Sequence, residues 1–348
     1  MNWIRLYVDE IDKGLVVGEK VKRIYRRLLH EIDEGKYILD EALGERPIRF
    51  AETFCVPKDS KTGKPIQLDL FQKAFIQASF GILTHDGKRR FKEILLLVAR
   101  KNGKTVLLAI IMLYMLVADG ENGAECYVVA TKLEQSRKTF IECQAIVSKS
   151  PELRALLKKR QSDIFNPQTF GFLKALASDS STLDGLNSHL VTIDELHEIK
   201  EKQLYEVMKQ STSSRDEPML FMITTAGTRR ASIFDEIYKY ANDVLDGTVE
   251  DDRFLPVLYE MDKRLEYLDP INWPKANPGL GTIKKIEYLQ EAVERAKNDA
   301  VWIRAYLMTA WVCPFEGPQP PRKALAFARR HHLRRTTARQ SQHFRQWR

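Results

Sequence analysis

The segment from Glu93 to Val117 constrains the fold of this chain most strongly, because it joins an apolar strand to an apolar helix through a short basic turn. The strand reads EILLLVA, the turn RKNGKT and the helix VLLAIIMLYMLV. An uninterrupted apolar run such as 94–98 is typical of a central parallel strand that is buried on both faces. The helix is apolar on all sides and should also be buried. It is too short to span a membrane and stops at Asp119-Gly120.

The basic turn predicts a site for a phosphate chain. Backbone N–H groups in a glycine-containing turn and at the start of a helix point at anions, and the helix dipole favours negative charge there. In such a loop Lys104 reaches the β- and γ-phosphates, and the Thr105 hydroxyl is a ligand of Mg²⁺. A full phosphate-loop motif has glycine where this chain has Val98. The tripeptide GKT alone is also compatible with a surface turn that carries a solvated lysine.

A second apolar strand, at 190–193, ends in two adjacent carboxylates. A nucleotide-hydrolysing site needs a carboxylate that holds Mg²⁺ and its water shell, which suits Asp194. It also needs a group that orients or polarises the attacking water, which suits Glu195. Acidic residues at strand ends also serve as helix caps. Their combination with the lysine turn favours the catalytic interpretation.

A third apolar strand, at 219–223, ends in the small residues TTAG at 224–227. Hydroxyl groups at the carboxyl end of a central strand lie beside the phosphate site of an open α/β sheet. Thr224 and Thr225 are therefore predicted to sense the γ-phosphate. A strand that simply ends in a polar turn would show the same letters.

These segments resemble the ATPase of the large terminase subunit of tailed bacteriophages, over roughly residues 30–316. The resemblance implies an ASCE-type P-loop NTPase fold, with a mainly parallel sheet flanked by helices. It also implies ATP and Mg²⁺ as cofactors. The segments that carry the resemblance are ARKNGKT (99–105), VTIDELHE (191–198), ITTAG (223–227), PIQLDLFQKAFIQASFG (65–81), VVATKLEQSRKTF (128–140), SDSSTLDGLNSHLV (178–191) and WPKANPGLGT (273–282).

The resemblance implies roles for individual residues. Gln72 corresponds to a glutamine that recognises adenine, although a polar residue on an amphipathic helix is also possible there. Thr224 and Thr225 correspond to a motif that couples hydrolysis to movement, Glu195 to the catalytic carboxylate, and Thr105 with Asp194 to the Mg²⁺ ligands. Arg215 is a candidate for an arginine finger in a neighbouring subunit, with a surface arginine as the favoured alternative. The predicted phosphate-binding residues are Arg100, Lys101, Asn102, Gly103, Lys104 and Thr105.

Four regions are predicted along the chain: a helical region at 1–50, a P-loop ATPase core at 51–246, a small lid or linker at 247–316 and a basic tail at 317–348. The core is read from strands that alternate with helices. In the lid, FLPVLYEMD (254–262) is predicted as a strand and 283–310 as a helix. The turn-rich segment 272–281 separates these two elements, with a structural role favoured for Asn277.

The net charge of +8 comes from the tail. After Glu316 there is no acidic residue, so the preceding chain is close to neutral. The tail has no clear periodicity and is predicted to be disordered. It is interpreted as non-native or frame-shifted sequence, with an arm that contacts nucleic acid as the alternative. Its basic residues are Arg322, Lys323, Arg329, Arg330, Arg334, Arg335, Arg339, Arg345 and Arg348.

The resemblance also predicts what the chain lacks and what it works with. In the family a nuclease domain follows the ATPase, and no set of acidic residues for two-metal cleavage follows here. We therefore expect the endonuclease and its metal site to be missing. The predicted function is an ATP-driven motor that moves double-stranded DNA into a procapsid, in the host cytoplasm at the portal. The expected partners are the portal protein, the small terminase subunit and further copies in a ring.

Two alternatives remain open at this stage. The letters DELH at 194–197 also match the D-E-x-H box of superfamily-2 helicases, although no second helicase domain motif follows residue 230. The other alternative is a truncated, inactive terminase fragment. The four cysteines lack C-x-x-C spacing, and the first residues mix charged and apolar side chains, so neither a zinc site nor a secretory signal is predicted.

Overall fold

A computed structural model describes residues 1–177, 183, 185–199, 202–227 and 232–296. The predicted tail at 317–348 and the last part of the predicted lid, 297–316, lie outside these residues. Within the described part of the chain, no helix is both long and apolar enough to cross a membrane.

Helices and strands alternate through most of the described chain. The strands are β1 (Ile38–Leu39), β2 (Ile82–Leu83), β3 (Glu93–Leu97), β4 (Glu125–Ala130), β5 (Lys158–Lys159), β6 (Asp163–Phe165), β7 (Phe172–Ala177), β8 (Ser188–Asp194), β9 (Met219–Thr224) and β10 (Phe254–Leu258). The α-helices are α1 (Trp3–Asp12), α2 (Glu19–Asp33), α3 (Glu41–Phe54), α4 (Leu70–Gly81), α5 (Lys104–Val117), α6 (Leu133–Lys149), α7 (Pro151–Leu156), α8 (Lys202–Gln210), α9 (Ile233–Asp246) and α10 (Ile286–Ala296). Short 3-10 helices lie at Leu196–Glu198, Arg264–Leu268 and Pro270–Lys275.

Eight strands form one sheet in the order β10-β3-β9-β8-β4-β7-β6-β5. The first six strands are parallel to their neighbours, whereas β6 and β5 are antiparallel. The predicted fold class, a mainly parallel sheet flanked by helices, is therefore confirmed. Strands β1 and β2 form a separate antiparallel pair.

The three predicted apolar strands lie side by side inside this sheet. Strand β9 is hydrogen-bonded to β3 on one side and to β8 on the other. All residues of β8 and β9 are buried, which explains why their sequences are apolar runs rather than alternating patterns. Helix α5 is buried from Leu107 to Leu116, as its uniformly apolar surface requires. Together these elements form the centre of the hydrophobic core.

The predicted boundary at residue 50 falls inside a helix. Helix α3 runs from Glu41 to Phe54, so no break in the chain occurs there. Helix α1 is joined to α4 by Gln77, whose Oε1 accepts hydrogen bonds from the backbone N–H groups of Trp3 (2.6 Å) and Ile4 (3.1 Å). Residues 1–54 are thus helical apart from β1 and short connections, as predicted, but they pack on α4 and are continuous with the core.

The central sheet continues past the predicted boundary at residue 246. The predicted strand at 254–262 exists as β10, but it pairs in parallel with β3 and completes the central sheet. It is an edge strand, which is where a strand that contains proline, here Pro256, is tolerated. The ATPase sheet therefore extends to Leu258. Of the helix predicted at 283–310, the described part begins at Ile286.

Candidate functional site

The predicted lysine and carboxylates converge at the carboxyl edge of the sheet. In the parallel register, Leu97 at the end of β3 lies beside Thr224 at the end of β9. Asp194 at the end of β8 lies beside Ile223 of β9. The result is that Lys104 Nζ lies 4.0 Å from Glu195 Oε1. Two segments far apart in the sequence thus form one charged site.

The turn between β3 and α5 has the backbone of an anion-binding loop. Lys101 and Gly103 both adopt left-handed conformations, with φ of 66° and 77°. Glycine takes this conformation without strain, and α5 begins directly after it at Lys104. The free N–H groups of the first helical turn, including those of Thr105, therefore belong to the loop. Arg100 and Lys101 are exposed, whereas Asn102 is buried.

The Lys104 ammonium is buried in the site. Its Nζ donates a hydrogen bond to Val98 O (3.4 Å), and the side chain is 9% exposed. Burial lowers the pKa of Lys104, and the charges of Glu195 and Asp194 only partly offset that effect. A buried cation of this kind is stabilised further by any anion that enters the loop.

The pKa values of the two adjacent carboxylates are shifted in opposite directions. Burial, assisted by the charge of Glu195, raises the pKa of Asp194 to about 6. Burial also acts on Glu195, but the hydrogen bond from His197 and the charge of Lys104 outweigh it and lower the pKa to about 2. Thr139 Oγ1 lies at 3.5 Å from Asp194 Oδ2 and donates to it. Near neutral pH Glu195 is therefore fully ionised.

Glu195 adopts a backbone conformation that is rare for a residue with a side chain. Its φ is 56° and its ψ is 54°, in the left-handed region. Its N–H donates to Ile223 O (2.9 Å), which ties the turn to β9. Such conformations persist only where the surroundings enforce them, and they are concentrated at functional sites. The carboxylate of this residue is the one that lies 4.0 Å from the Lys104 ammonium.

His197 links the carboxylate to the threonine motif, a contact that the sequence analysis did not identify. The Thr224 hydroxyl donates to Thr225 O (2.9 Å), so it accepts from His197 Nδ1 (2.9 Å). Nδ1 therefore carries the proton, and it also lies 3.2 Å from Glu195 Oε2. Thr225 Oγ1 lies 3.5 Å from the same carboxylate oxygen. The histidine in the DELH letters was the available signal, but its contacts depend on β9.

Gly227 is needed for this arrangement. A Cβ atom at that position would overlap the imidazole ring of His197, which is 3% exposed. Only the missing side chain leaves room for the ring between the ends of β8 and β9. The glycine of the ITTAG segment thus has a packing role.

We expect His197→Ala to lower the rate of ATP hydrolysis about tenfold, because the loss of one hydrogen bond to a charged group moves Glu195 and raises its pKa. ATP affinity should stay close to that of the unmodified chain, since the side-chain partners of His197 among the described residues are Thr224, Glu195 and Glu198. Steady-state hydrolysis and nucleotide binding measure the two effects separately. Gly227→Ala should reproduce the defect by displacing the ring. Unchanged hydrolysis in both variants would contradict the link.

The adenine-binding role of Gln72 stays a prediction. Gln72 is buried, and its Oε1 accepts from the Asp69 N–H (3.0 Å) as part of the capping box of α4. Its Nε2 faces Gly103. A cleft of about 910 Å³ lies beyond that glycine, and Gln72 is not in its wall. The cleft is lined by Pro57, Asp59, Ser60, Thr62, Lys64, Pro65, Ile66, Gln67, Lys101, Gly103, Thr282 and Ile283.

The structure argues against the predicted role of Arg215 as an arginine finger. The residue precedes β9, at the edge of the sheet opposite to the phosphate loop. Its guanidinium forms an ion pair with Glu121 (2.6 Å) and donates to Gly123 O (2.8 Å), and the side chain is 11% exposed. These contacts join loops of the same chain, so Arg215 has a structural role.

The donor set of the site fits Mg²⁺ better than a transition metal. In the part of the chain that the structure describes, no group of three or more His, Cys, Asp and Glu side chains is arranged to hold a metal ion. Mg²⁺ needs only one or two protein oxygen ligands, because it keeps several waters and binds substrate phosphates. The Asp194 carboxylate is buried and forms no ion pair with the residues that the structure describes, so an added cation would stabilise its charged form.

The fold and the site together define a P-loop nucleoside triphosphatase. A family model for the ATPase domain of the terminase large subunit matches residues 70–243, which is half of the chain. The chain therefore belongs to the family of terminase large subunits. This match decides between the terminase and the helicase interpretations of the DELH segment.

Individual relatives support the same assignment. The chain is 29% identical over 260 residues to the terminase large subunit of Enterobacteria phage HK97, covering 73% of this chain and 49% of the relative. It is 26% identical over 215 residues to the terminase large subunit of Lactococcus phage p2, covering 60% and 39%. The crystal structure of the HK97 large terminase shares its fold, with a TM-score of 0.68 and 24% identity over 78% of this chain and 55% of that one. The chain spans half or less of the length of these curated relatives.

One finding corrects the expectation that the nuclease is entirely missing. A family model for the endonuclease domain of the terminase large subunit matches residues 248–311. The matched segment includes β10, which is hydrogen-bonded into the central sheet. The beginning of the nuclease region is therefore present in this chain, and its first strand belongs to the ATPase sheet.

Proposed function

We propose that this chain hydrolyses ATP and uses the energy to move double-stranded DNA into a viral procapsid. The observation that carries the proposal is the 4.0 Å separation between Lys104 Nζ and Glu195 Oε1, at the carboxyl edge where the phosphate loop opens. A lysine that binds phosphate and a carboxylate that acts on water must both reach the γ-phosphate. Membership of the terminase family supports the same activity.

In this proposal the loop at 100–105 binds the phosphates through its backbone N–H groups and through Lys104. Arg100, which is exposed at the loop, contributes a further positive charge. Thr105 and Asp194 would hold Mg²⁺, which would supply positive charge to offset the charge that develops on the phosphates. The cleft beside Gly103 is the space available for the base and ribose.

Glu195 orients the attacking water. Because its pKa is lowered to about 2, this carboxylate accepts a hydrogen bond well but is a weak proton acceptor. The oxygen of the water forms a bond to the γ-phosphorus as the bond to the β–γ bridging oxygen breaks. The protons of that water then end on the phosphate product. Glu195 contributes by position and charge, which is sufficient for a loose transition state.

The threonine motif couples this event to the rest of the sheet. Thr225 contacts Glu195, and Thr224 contacts His197, which in turn contacts Glu195. A change in the water or the γ-phosphate at Glu195 is thus transmitted to the end of β9 over two hydrogen bonds. We infer that this path passes hydrolysis on to the moving parts of the motor.

The proposed setting is the procapsid portal in the host cytoplasm. The partners are the portal protein, the small terminase subunit and further copies of this chain in a ring around the DNA. These partners are inferred from the family, since the residues described here do not identify a DNA-binding surface.

A phosphate-release assay tests the proposal. The purified chain, with ATP and Mg²⁺, should release phosphate, and linear double-stranded DNA should raise the rate more than single-stranded DNA does. The Glu195→Gln variant gives the background. A rate equal to that background would rule out ATP hydrolysis by this site. Stimulation by single strands alone would instead indicate a helicase-like activity.

A further inference from the structure

The turn at 277–284 packs directly on the phosphate loop through Asn102. The Asn102 Nδ2 donates to Ala99 O (3.0 Å) in its own loop and to Asn277 Oδ1 (3.2 Å). Its Oδ1 accepts from the Gly279 N–H (3.1 Å). All the polar atoms of the Asn102 side chain are therefore used to join the loop to a segment about 175 residues later in the sequence.

Lys284 reaches the same place from this turn. Its Nζ donates to Asn277 Oδ1 (2.6 Å), the oxygen that also accepts from Asn102. The ammonium of Lys284 thus lies within two hydrogen-bond lengths of the phosphate loop. The residue is 3% exposed, and its Nζ lies 5.6 Å from the centre of the Tyr288 ring.

A buried lysine without a carboxylate is unusual. Among the residues that the structure describes, Lys284 forms no ion pair, and its one hydrogen bond is to a neutral amide. Burial, with repulsion from Lys104, lowers the pKa of Lys284 to about 7. Two desolvated lysines that repel each other beside one anion-binding turn are stabilised further when an anion binds between them.

We propose that Lys284 is a second phosphate-binding lysine, which contacts the phosphate chain of the nucleotide from the turn at 277–284. This inference rests on the proposed function, because it takes the loop to be a nucleotide site. The ligand it would bind is the β- or γ-phosphate of a nucleoside di- or triphosphate. The alternative is that Lys284 serves only as an anchor for Asn277.

Nucleotide binding by matched variants separates these roles. Lys284→Met removes the charge but keeps a long apolar side chain, and Lys285→Met makes the same change at the exposed neighbouring residue. Calorimetric titration with ATPγS, ADP and AMP, each with Mg²⁺, gives the affinities. We expect Lys284→Met to bind ATPγS about tenfold more weakly, the effect of one hydrogen bond to a charged group. Binding of AMP should be unchanged, and Lys285→Met should match the unmodified chain.

The comparison of ADP with ATPγS locates the contact. A loss for both ligands indicates the β-phosphate, whereas a loss for ATPγS alone indicates the γ-phosphate, and either result supports the proposal. Equal ATPγS affinity in Lys284→Met and the unmodified chain would overturn it. If the unmodified chain binds no nucleotide, the proposed function itself is wrong and this inference falls with it.

Thermal unfolding without nucleotide distinguishes a ligand contact from an anchor. Removal of a buried cation that lacks an anion should leave the melting temperature of Lys284→Met unchanged or raise it. A lowered melting temperature, together with the same loss of affinity for AMP as for ATPγS, would show that Lys284 only holds the turn. That outcome would also refute the proposal.

Discussion

Glu195→Gln is expected to slow ATP hydrolysis by about 10²- to 10³-fold while the affinity for ATP stays nearly unchanged. Glutamine keeps the size and the acceptor oxygen of the side chain but loses the negative charge that polarises water. The affinity is preserved because the phosphates are held by the loop and Lys104. Loss of the Glu195 charge also removes its repulsion of the phosphates. This effect raises the ATP affinity, whereas any loss of contacts lowers it.

Single-turnover hydrolysis and equilibrium binding should be measured on the same preparation, so that the chemical step is separated from binding. Glu198→Gln is the matched control, because Glu198 is the next acidic residue, contacts the other nitrogen of His197 (3.4 Å) and is 47% exposed. We expect this control to retain most of the activity. If Glu195→Gln and Glu198→Gln hydrolyse ATP equally fast, Glu195 does not act on the water.

The contacts at this site explain which parts could be predicted from the sequence. The positions of Lys104 and Asp194 followed from a general property of parallel sheets, whose strands end at one edge. The prediction that these two residues lie close together therefore did not require the order of the strands in the sheet. The apolar runs predicted β3, β8 and β9 to within one or two residues, because strands buried on both faces carry an unambiguous pattern.

Other parts depend on contacts that no local pattern records. His197 joins the site only because β9 places Thr224 beside it, and Lys284 only because its turn packs on Asn102. The sequence of the final strand, β10, does not show which strand it pairs with. The strand was therefore predicted to belong to a separate lid, whereas it pairs with β3 in the central sheet. The resemblance predicted that Gln72 binds adenine. It did not predict the capping hydrogen bond that Gln72 accepts from Asp69, which depends on the local structure of the helix N-terminus.

Lys104→Ala is expected to weaken ATP binding by roughly 100-fold or more, since two phosphates lose a charged hydrogen-bond donor in a buried site. Hydrolysis should become undetectable, because the charge that develops on the γ-phosphate is no longer offset. The pKa values of the two carboxylates in the site should also change. The charge of Lys104 lowers the pKa of both Asp194 and Glu195, so its removal should raise both pKa values.

Lys101→Ala provides the matched control for this variant. Lys101 lies in the same loop and is exposed, so its charge is screened by solvent and its loss should reduce ATP affinity only a few-fold. Binding of a fluorescent ATP analogue measures both variants under identical salt, because the contribution of an exposed charge depends on ionic strength. Equal losses in the two variants would mean that a diffuse positive surface, rather than the buried ammonium beside Glu195, attracts the nucleotide.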